Sequence, residues 1–391
     1  MILLLGILLL VYALLIFYYH KVWNQIPVTT PTTGNPVPEP DSALPEAAAK
    51  PSPERMVKVS VIVAARNEAF TIPRLLDALA LQSYPKELTE IIIVNDFSTD
   101  ETETRVREHP GNARLLNLRD YTTDGLNSFK KKAIATGIAN SSGELIICTD
   151  ADCRMGPEWI SCIISVYKEK NYCFIACPVK IIANESWLSV FQALDFISLQ
   201  GITGAAVYKN LYPMCNGANL AYTRNAYEVT GGFQGIDQIA SGDDMLLMKK
   251  ILGHFPGGAG YIKDARVIVE TSAANTVSAF LHQRIRWASK IFYYKHAATF
   301  ITLGLVFIVN AGLLLLFISC FFYGHWRSLI ILLAFKTISE YFFVAGVAKF
   351  FEQESLMKFF PFCQPFHIFY TVVAASFGSF GKYEWKNRKV K

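Results

Sequence analysis

The sequence predicts an α/β domain built on a mostly parallel central sheet, carried on apolar helices at both ends of the chain. Three observations predict it. Runs rich in β-branched residues alternate with segments of helical periodicity between residues 57 and 150, the pattern of consecutive β-α-β units. The strand runs are apolar without alternation, as strands covered on both faces are. Outside this domain the chain turns apolar over lengths that suit a bilayer: 52% of its 391 residues are hydrophobic and only 18% are charged, more apolar than a water-soluble domain needs.

The chain opens with "MILLLGILLLVYALLIFYYH", an apolar stretch of roughly 19 residues, long enough to span a bilayer. No basic segment precedes it and no small-residue cleavage site follows. Residues 1–24 therefore read as an uncleaved transmembrane anchor, with a signal peptide as the second reading. Tyr18, Tyr19 and Trp23 fall where an aromatic belt meets lipid headgroups, beside Lys21. Residues 25–56 are dense in proline and poor in large apolar side chains, so they form a flexible or extended linker.

The α/β domain runs from 57 to 272. "VKVSVIVAAR" is a first buried strand, "TIPRLLDALALQ" a helix, "TEIIIVNDFSTD" a second strand, "KKKAIATGIANS" a helix and "GELIICTDAD" a third strand. Chemistry in such sheets gathers at the carboxyl ends of the strands. Each strand here ends in polar residues: Arg66-Asn67-Glu68, then Asn95-Asp96, then Asp150 and Asp152. Two carboxylates one residue apart at a strand exit can reach one hard cation and a diphosphate that it neutralises. A solvated turn is the alternative for an acidic triplet taken alone.

Within 273–296, "TVSAFLHQRIRWASKIFYYKH" mixes basic and aromatic residues, as a helix in the membrane interface does. Residues 297–391 form a membrane region. Segment 297–324 is long enough to span, and 328–348 is too, although it carries Lys336 and Glu340. These two are four apart on one helix face, so they pair or face protein rather than lipid. Segment 361–381 is uncharged but holds Pro361 and Pro365, and a basic tail follows. A full crossing would carry that tail to the far side, so a bent interfacial or re-entrant segment is expected. The net charge of +5 comes without any dense Lys/Arg block, which excludes a nucleic-acid-binding arm. The eight cysteines show no metal-binding spacing, read as small core residues and fit a reducing compartment.

Taken in order, "VSVIVAARNE", "IIIVNDFSTD", "TDADC", "CNGANLAY", "SGDDMLL" and "QRIRW" resemble the family 2 glycosyltransferases over roughly residues 57–290. The resemblance is greatest to membrane-anchored enzymes with a (Q/R)xxRW motif, such as ceramide glucosyltransferases and polysaccharide synthases. It implies a GT-A fold, a UDP-linked sugar donor and an Mg²⁺ or Mn²⁺ cofactor. It places Asp96 against the uracil ring, whose imide N–H a carboxylate accepts. Here Asn95 and Phe97 replace the usual Asp and Gly around it. Glu68 would face the nucleotide or cap the next helix. Lys130 and Lys131 would lie near the donor phosphates, or begin a solvated helix. Asp152 would ligate the metal, with Asp150 on the ribose or the metal's water shell.

The same resemblance makes Asp244 the base that deprotonates the acceptor hydroxyl, with Asp243 in support. Either residue also reads as an N-cap of "MLLMKKIL". In "GANLAY", Gly217 allows close backbone approach and Asn219 offers hydrogen bonds to the acceptor, or the segment is a plain turn. Gln283, Arg284, Arg286 and Trp287 would meet the diphosphate and the acceptor, Arg bidentately. Arg and Trp are also common interfacial anchors. The apolar helix "WLSVFQALDFISLQGITGAAVY" (187–208) reads mainly as core, and as the lining of an acceptor groove second.

The expected function is transfer of one sugar to a hydroxyl of a lipid or glycan acceptor at the bilayer. The active domain would be cytosolic, at a bacterial plasma membrane, with Lys21, Lys290 and Lys295 on the inner side. A processive polysaccharide synthase is the alternative, for which so few spans are sparse. A non-catalytic scaffold is the third reading, disfavoured by the retained acidic residues.

Overall fold

The computed structural model describes residues 2–28, 55–122, 128–239, 242–290, 293 and 296–378, with the backbone alone at 383–385 and 388–390. Most of the proline-rich linker, Lys295 and most of the basic tail lie outside the described residues.

In chain order the elements are α1 (Ile2–Gln25), β1 (Val59–Ala65), α2 (Ile72–Ala80), β2 (Thr89–Asn95), α3 (Thr102–Glu108), β3 (Ala113–Asn117), α4 (Phe129–Ala139), β4 (Leu145–Asp150), β5 (Arg154–Met155) and α5 (Trp159–Lys170). Then come β6 (Phe174–Ala176), β7 (Val179–Ile182), α6 (Trp187–Tyr208), β8 (Leu220–Thr223), α7 (Arg224–Val229), α8 (Met245–His254), β9 (Ala259–Tyr261) and β10 (Val269–Ser272). The chain closes with α9 (Val277–Ala288), α10 (Ala297–Tyr323), α11 (Trp326–Phe350), α12 (Phe360–Gly378) and the short strands β11 (Tyr383–Trp385) and β12 (Arg388–Val390).

The central sheet has seven strands in the order β3-β2-β1-β4-β8-β6-β9. Only β8 runs against its neighbours, so the sheet is mostly parallel, as the unalternating strand runs predict. Successive side chains point to opposite faces, and both faces are covered. Val59, Val61 and Val63 of β1 enter one apolar layer with Leu75 and Leu79 of α2 and Trp159 and Ile163 of α5. Ile62 enters the other, with Ile134 of α4, Leu194 of α6 and Met248 of α8. That second layer is continuous with Leu9 of α1, Leu313 of α10 and Val344 of α11. The α/β domain therefore shares one apolar core with the apolar helices. The register sets Ala65 opposite Asn95 and Ala64 opposite Asp150, which aligns the polar carboxyl ends of β1, β2 and β4 along one edge. A smaller sheet, β5-β10-β7, flanks it.

Among the described residues, four helices are long and apolar enough to cross a membrane: α1, α6, α10 and α11. They fall into two kinds. In α6, 83% of the apolar window is buried, against 28% in each of the other three, so α6 is a core helix. The other three present large bare side chains such as Leu3, Ile7, Phe300, Ile301, Ile330 and Phe342, an apolar surface that calls for lipid. Most of segment 361–381 forms α12, one helix that continues through Pro365, with Pro361 in its first turn. It packs on α9 and α10.

Lys336 and Glu340 do pair, Nζ to Oε1 at 2.6 Å, and both are buried. Tyr12 OH donates to Glu340 Oε1 at 2.5 Å. The amide of Gln364 accepts from Lys336 at 2.8 Å and donates to Glu340 at 2.7 Å. The ion pair is thus hydrogen-bonded inside the helix bundle, which offsets the desolvation of its charges.

Candidate active site

Asp150 closes β4 and Lys130 stands in the first turn of α4. Lys130 Nζ donates to Asp150 Oδ1 at 2.8 Å and lies 3.0 Å from Asp243 Oδ2. A cation at a helix N-terminus opposes the helix dipole, and these two carboxylates offset that. Burial works against the ammonium, yet Asp150 and Asp243 hold its pKa well above the ordinary lysine range.

Asp243 and Asp244 enter α8 through Gly242, whose φ of +77° suits a residue without Cβ. Asp244 is the N-cap: Oδ1 accepts the Met245 N–H at 2.7 Å and Oδ2 accepts the Gly217 N–H at 3.1 Å. Gly217 comes close to the charged side chains. A Cβ there would lie 3.3 Å from both Asp243 Oδ2 and Lys130 Nζ. The two adjacent carboxylates are pushed apart in acidity. Burial works to raise Asp243, but the Lys130 ammonium holds it below the ordinary range. Burial and the neighbouring Asp243 charge push Asp244 up.

Asp152 accepts from Thr271 Oγ1 of β10 at 3.3 Å. Asp150, Asp152, Lys130, Asp243, Asp244, Gln283, Arg284, Arg286 and Trp287 all line one cavity of about 520 Å³. These nine residues, from four separate segments, thus meet around one space.

The others lie elsewhere. Glu68 accepts from Thr71 Oγ1 at 2.6 Å just before α2. Asp96 is only 1% exposed, and neither it nor Glu68 lines the cavity. Arg66 Nη1 donates to the carbonyls of Asp96 and Phe97 at 3.0 and 2.8 Å, holding the exit of β2. Lys131 is buried and donates to the carbonyls of Ile236 and Ile239, both at 2.7 Å. It anchors the segment that leads to Asp243, and burial lowers its pKa to about 8. Asn219 corrects the acceptor expectation. It is fully buried, donates to the Pro178 and Val267 carbonyls at 2.7 Å and accepts from Trp159 Nε1 at 2.9 Å. Its amide is consumed by the core.

Arg284 lines the cavity but is buried and tied to the core. Its Nη2 meets Asp195 Oδ2 at 2.6 Å, and its guanidinium lies 4.2 Å from the ring of Trp287 and 4.8 Å from that of Phe280. Tyr370 OH donates to the other oxygen of Asp195. This cluster ties α9 to α6 and α12 and orients Trp287. Sequence reading passed over Asp195, although a lone carboxylate in an apolar helix demands a buried partner. It also gave Lys290 only a topological role. Lys290 lines the cavity, donates to the Arg286 carbonyl, and has its pKa lowered to about 7 by burial and by Arg286.

Among the described residues, no group of three or more His, Cys, Asp or Glu side chains could hold a metal by itself. Asp150 and Asp152 supply oxygen donors only, the set that suits a hard cation completed by ligand oxygens and water.

Residues 60–231 match the family described as Glycosyl transferase family 2. The chain is 26% identical over 246 residues to the probable glycosyltransferase YdaM of Bacillus subtilis, covering 60% of this chain and 55% of that protein. It is 38% identical over 125 residues to an undecaprenyl-phosphate 4-deoxy-4-formamido-L-arabinose transferase of Serratia proteamaculans, covering 30% of this chain and 35% of that one. The matches thus span about half, or less, of these relatives' length. A mannosyltransferase of Pyrobaculum calidifontis, solved with GDP-Man and Mn²⁺, superposes with a TM-score of 0.53 at 18% identity, over 94% of this chain and 99% of that one. At that identity the likeness speaks for the fold. With its mostly parallel sheet and the match across 60–231, the chain contains a domain of GT-A fold that is similar to the family 2 glycosyltransferases.

Proposed function

We propose that the protein is a membrane-bound, inverting glycosyltransferase that moves a sugar from a UDP-linked donor to a hydroxyl of a lipid or other membrane-embedded acceptor. One observation carries this reading. The cavity that holds Asp150, Asp152, Asp243 and Asp244 runs on between α1, α10 and α11, where Ile16, Leu303 and Val344 line it. An acceptor that reaches the acidic cluster along this path comes from the membrane side.

The chain's residues divide the work by position. Asp152, with Asp150, is placed to hold a divalent cation, Mg²⁺ or Mn²⁺, that would neutralise the donor diphosphate. Lys130 and Arg286 add positive charge on the same side. Glu68 and Asp96 belong to the nucleotide side of the sheet edge. Asp244 takes the proton of the acceptor hydroxyl; its raised pKa suits a base, and its two backbone N–H donors fix its direction. Asp243, held charged by Lys130, keeps Asp244 basic. Trp287, set by Arg284, offers a face for a sugar ring. The bare apolar faces of α1, α10 and α11 would lie in a bacterial plasma membrane, with the α/β domain in the cytosol beside the nucleotide sugars.

The test is to incubate membranes carrying the protein with a panel of labelled nucleotide sugars and to separate lipid extract from polymer. Label in the lipid fraction, lost with EDTA and restored by Mg²⁺ or Mn²⁺, is the expected result. Label in polymer would favour a polysaccharide synthase, and no transfer with any donor would favour a scaffold.

A further inference from the structure

We propose that α1 is an acceptor-binding element that measures the acceptor's apolar chain, in addition to anchoring the protein. This rests on the lipid-acceptor reading above. Tyr12, Leu15, Ile16 and Tyr19 line the cavity. Their spacing of three, four and seven places them on one stripe of the helix. Leu3, Ile7, Leu10, Leu14 and Phe17 of the same helix are more than half exposed. An anchor needs only an outward apolar face. This helix has a second one, turned to the space that begins at Asp244. Thr302, Leu303, Val306 and Phe307 of α10 and Phe343 of α11 face the same space.

The stripe also has an end. Tyr12 lies 13 residues before Gln25, roughly 20 Å along the helix axis. At that level Tyr12, Glu340 and Gln364 line the cavity, and they are tied to Lys336 by the hydrogen bonds described above. A methylene pushed into this network would break buried hydrogen bonds and leave their donors unsatisfied. An apolar chain is therefore welcome along Tyr19, Ile16 and Leu15 and stopped at Tyr12. The occupant is the single apolar chain of a hydroxyl-headed lipid, with its hydroxyl at Asp244. The largely apolar wall argues against a hydrated glycan in the same path.

The test uses the full chain in nanodiscs, the donor sugar found in the assay above, and acceptors sharing one head group: octyl-, dodecyl- and hexadecylglycerol. Ile16→Trp shortens the space, and the ratio of hexadecyl to octyl kcat/KM should fall about tenfold or more. Ile16→Ala leaves that end in place but gives a long chain more room before it, and the ratio should rise. The Tm shift given by UDP reports that each variant is folded; if Ile16→Trp gives none, Ile16→Ala decides. Unchanged ratios in folded variants overturn the ruler and leave the transferase reading standing. Sugar found only in polymer, or transfer to none of the three lipids while membrane lipid extract is labelled, also overturns it. No transfer to anything removes both.

Discussion

Lys130 Nζ stands 3.0 Å from Asp243 Oδ2, so a lysine at the start of one helix closes on a carboxylate at the start of another. Through Asp150 the same ammonium reaches the end of β4. Asp150 and Asp243 are thus linked by one half-buried ammonium. Replacing it leaves two carboxylates facing each other without a counter-ion. Lys130→Met should cost about 1–3 kcal/mol of stability, read as a lower unfolding midpoint in detergent. Adding Asp243→Asn to it should recover part of the loss. An unchanged midpoint in the single variant would mean that the pair adds nothing.

Gly217→Ala tests closeness without removing a charge. The new methyl would sit 3.3 Å from Asp243 Oδ2 and Lys130 Nζ, and 3.6 Å from Asp244 Oδ2. The backbone N–H that holds Asp244 would shift with it. Transfer should fall about ten- to a hundredfold, with a midpoint close to wild type. Full activity in the alanine variant would show that Gly217 does not set the position of the base.

Phe97 occupies a backbone conformation that glycine favours, with φ at +50°. Its ring meets Phe129 edge-on at 5.7 Å and 86°, next to Lys130. The strain, about 1–2 kcal/mol, is opposed by an aromatic contact of about 0.5–1.5 kcal/mol and by burial. Phe97→Gly loses the contact but also the strain. Phe97→Ala loses the contact and keeps the strain. The alanine variant should therefore be less stable than the glycine variant by about 1 kcal/mol, measured by chemical unfolding. Equal stabilities would place the strain elsewhere.

Lys290 gives the stability a pH dependence of known sign. Its folded pKa of about 7 lies below the ordinary 10.5, through burial and then Arg286. Between these values the unfolded chain binds more protons than the folded one, so stability from this group rises with pH. The slope is at most about 1.4 kcal/mol per pH unit. Below about 7 the burial penalty is complete. Lys290→Met should flatten the rise between pH 7 and 10 in unfolding measurements. A wild-type slope retained in the variant would assign the rise to another group, such as Lys131.

The sheet was legible because its strands are apolar on both faces, and Val59 and Ile62 do enter opposite layers. The acidic residues were legible because they stand at strand ends and helix starts, where local sequence marks them. What was not legible depends on distant partners. Nothing near Asn219 says that Trp159 and two carbonyls consume its amide. Arg284 reads as a ligand group until Asp195 is found across the core. The cavity-lining stripe of α1 was hidden for another reason: the helix is apolar all round, so hydropathy reports its length and not its two faces.

The central claim is that the carboxylates of the donor side and the base for the acceptor serve one reaction in one cavity. Asp244→Asn tests it most directly, with sugar transfer and UDP-sugar binding measured on the same preparation. Transfer should fall by about a hundredfold or more, while donor affinity stays within about twofold. Transfer near the wild-type rate, with donor still bound, would contradict the account.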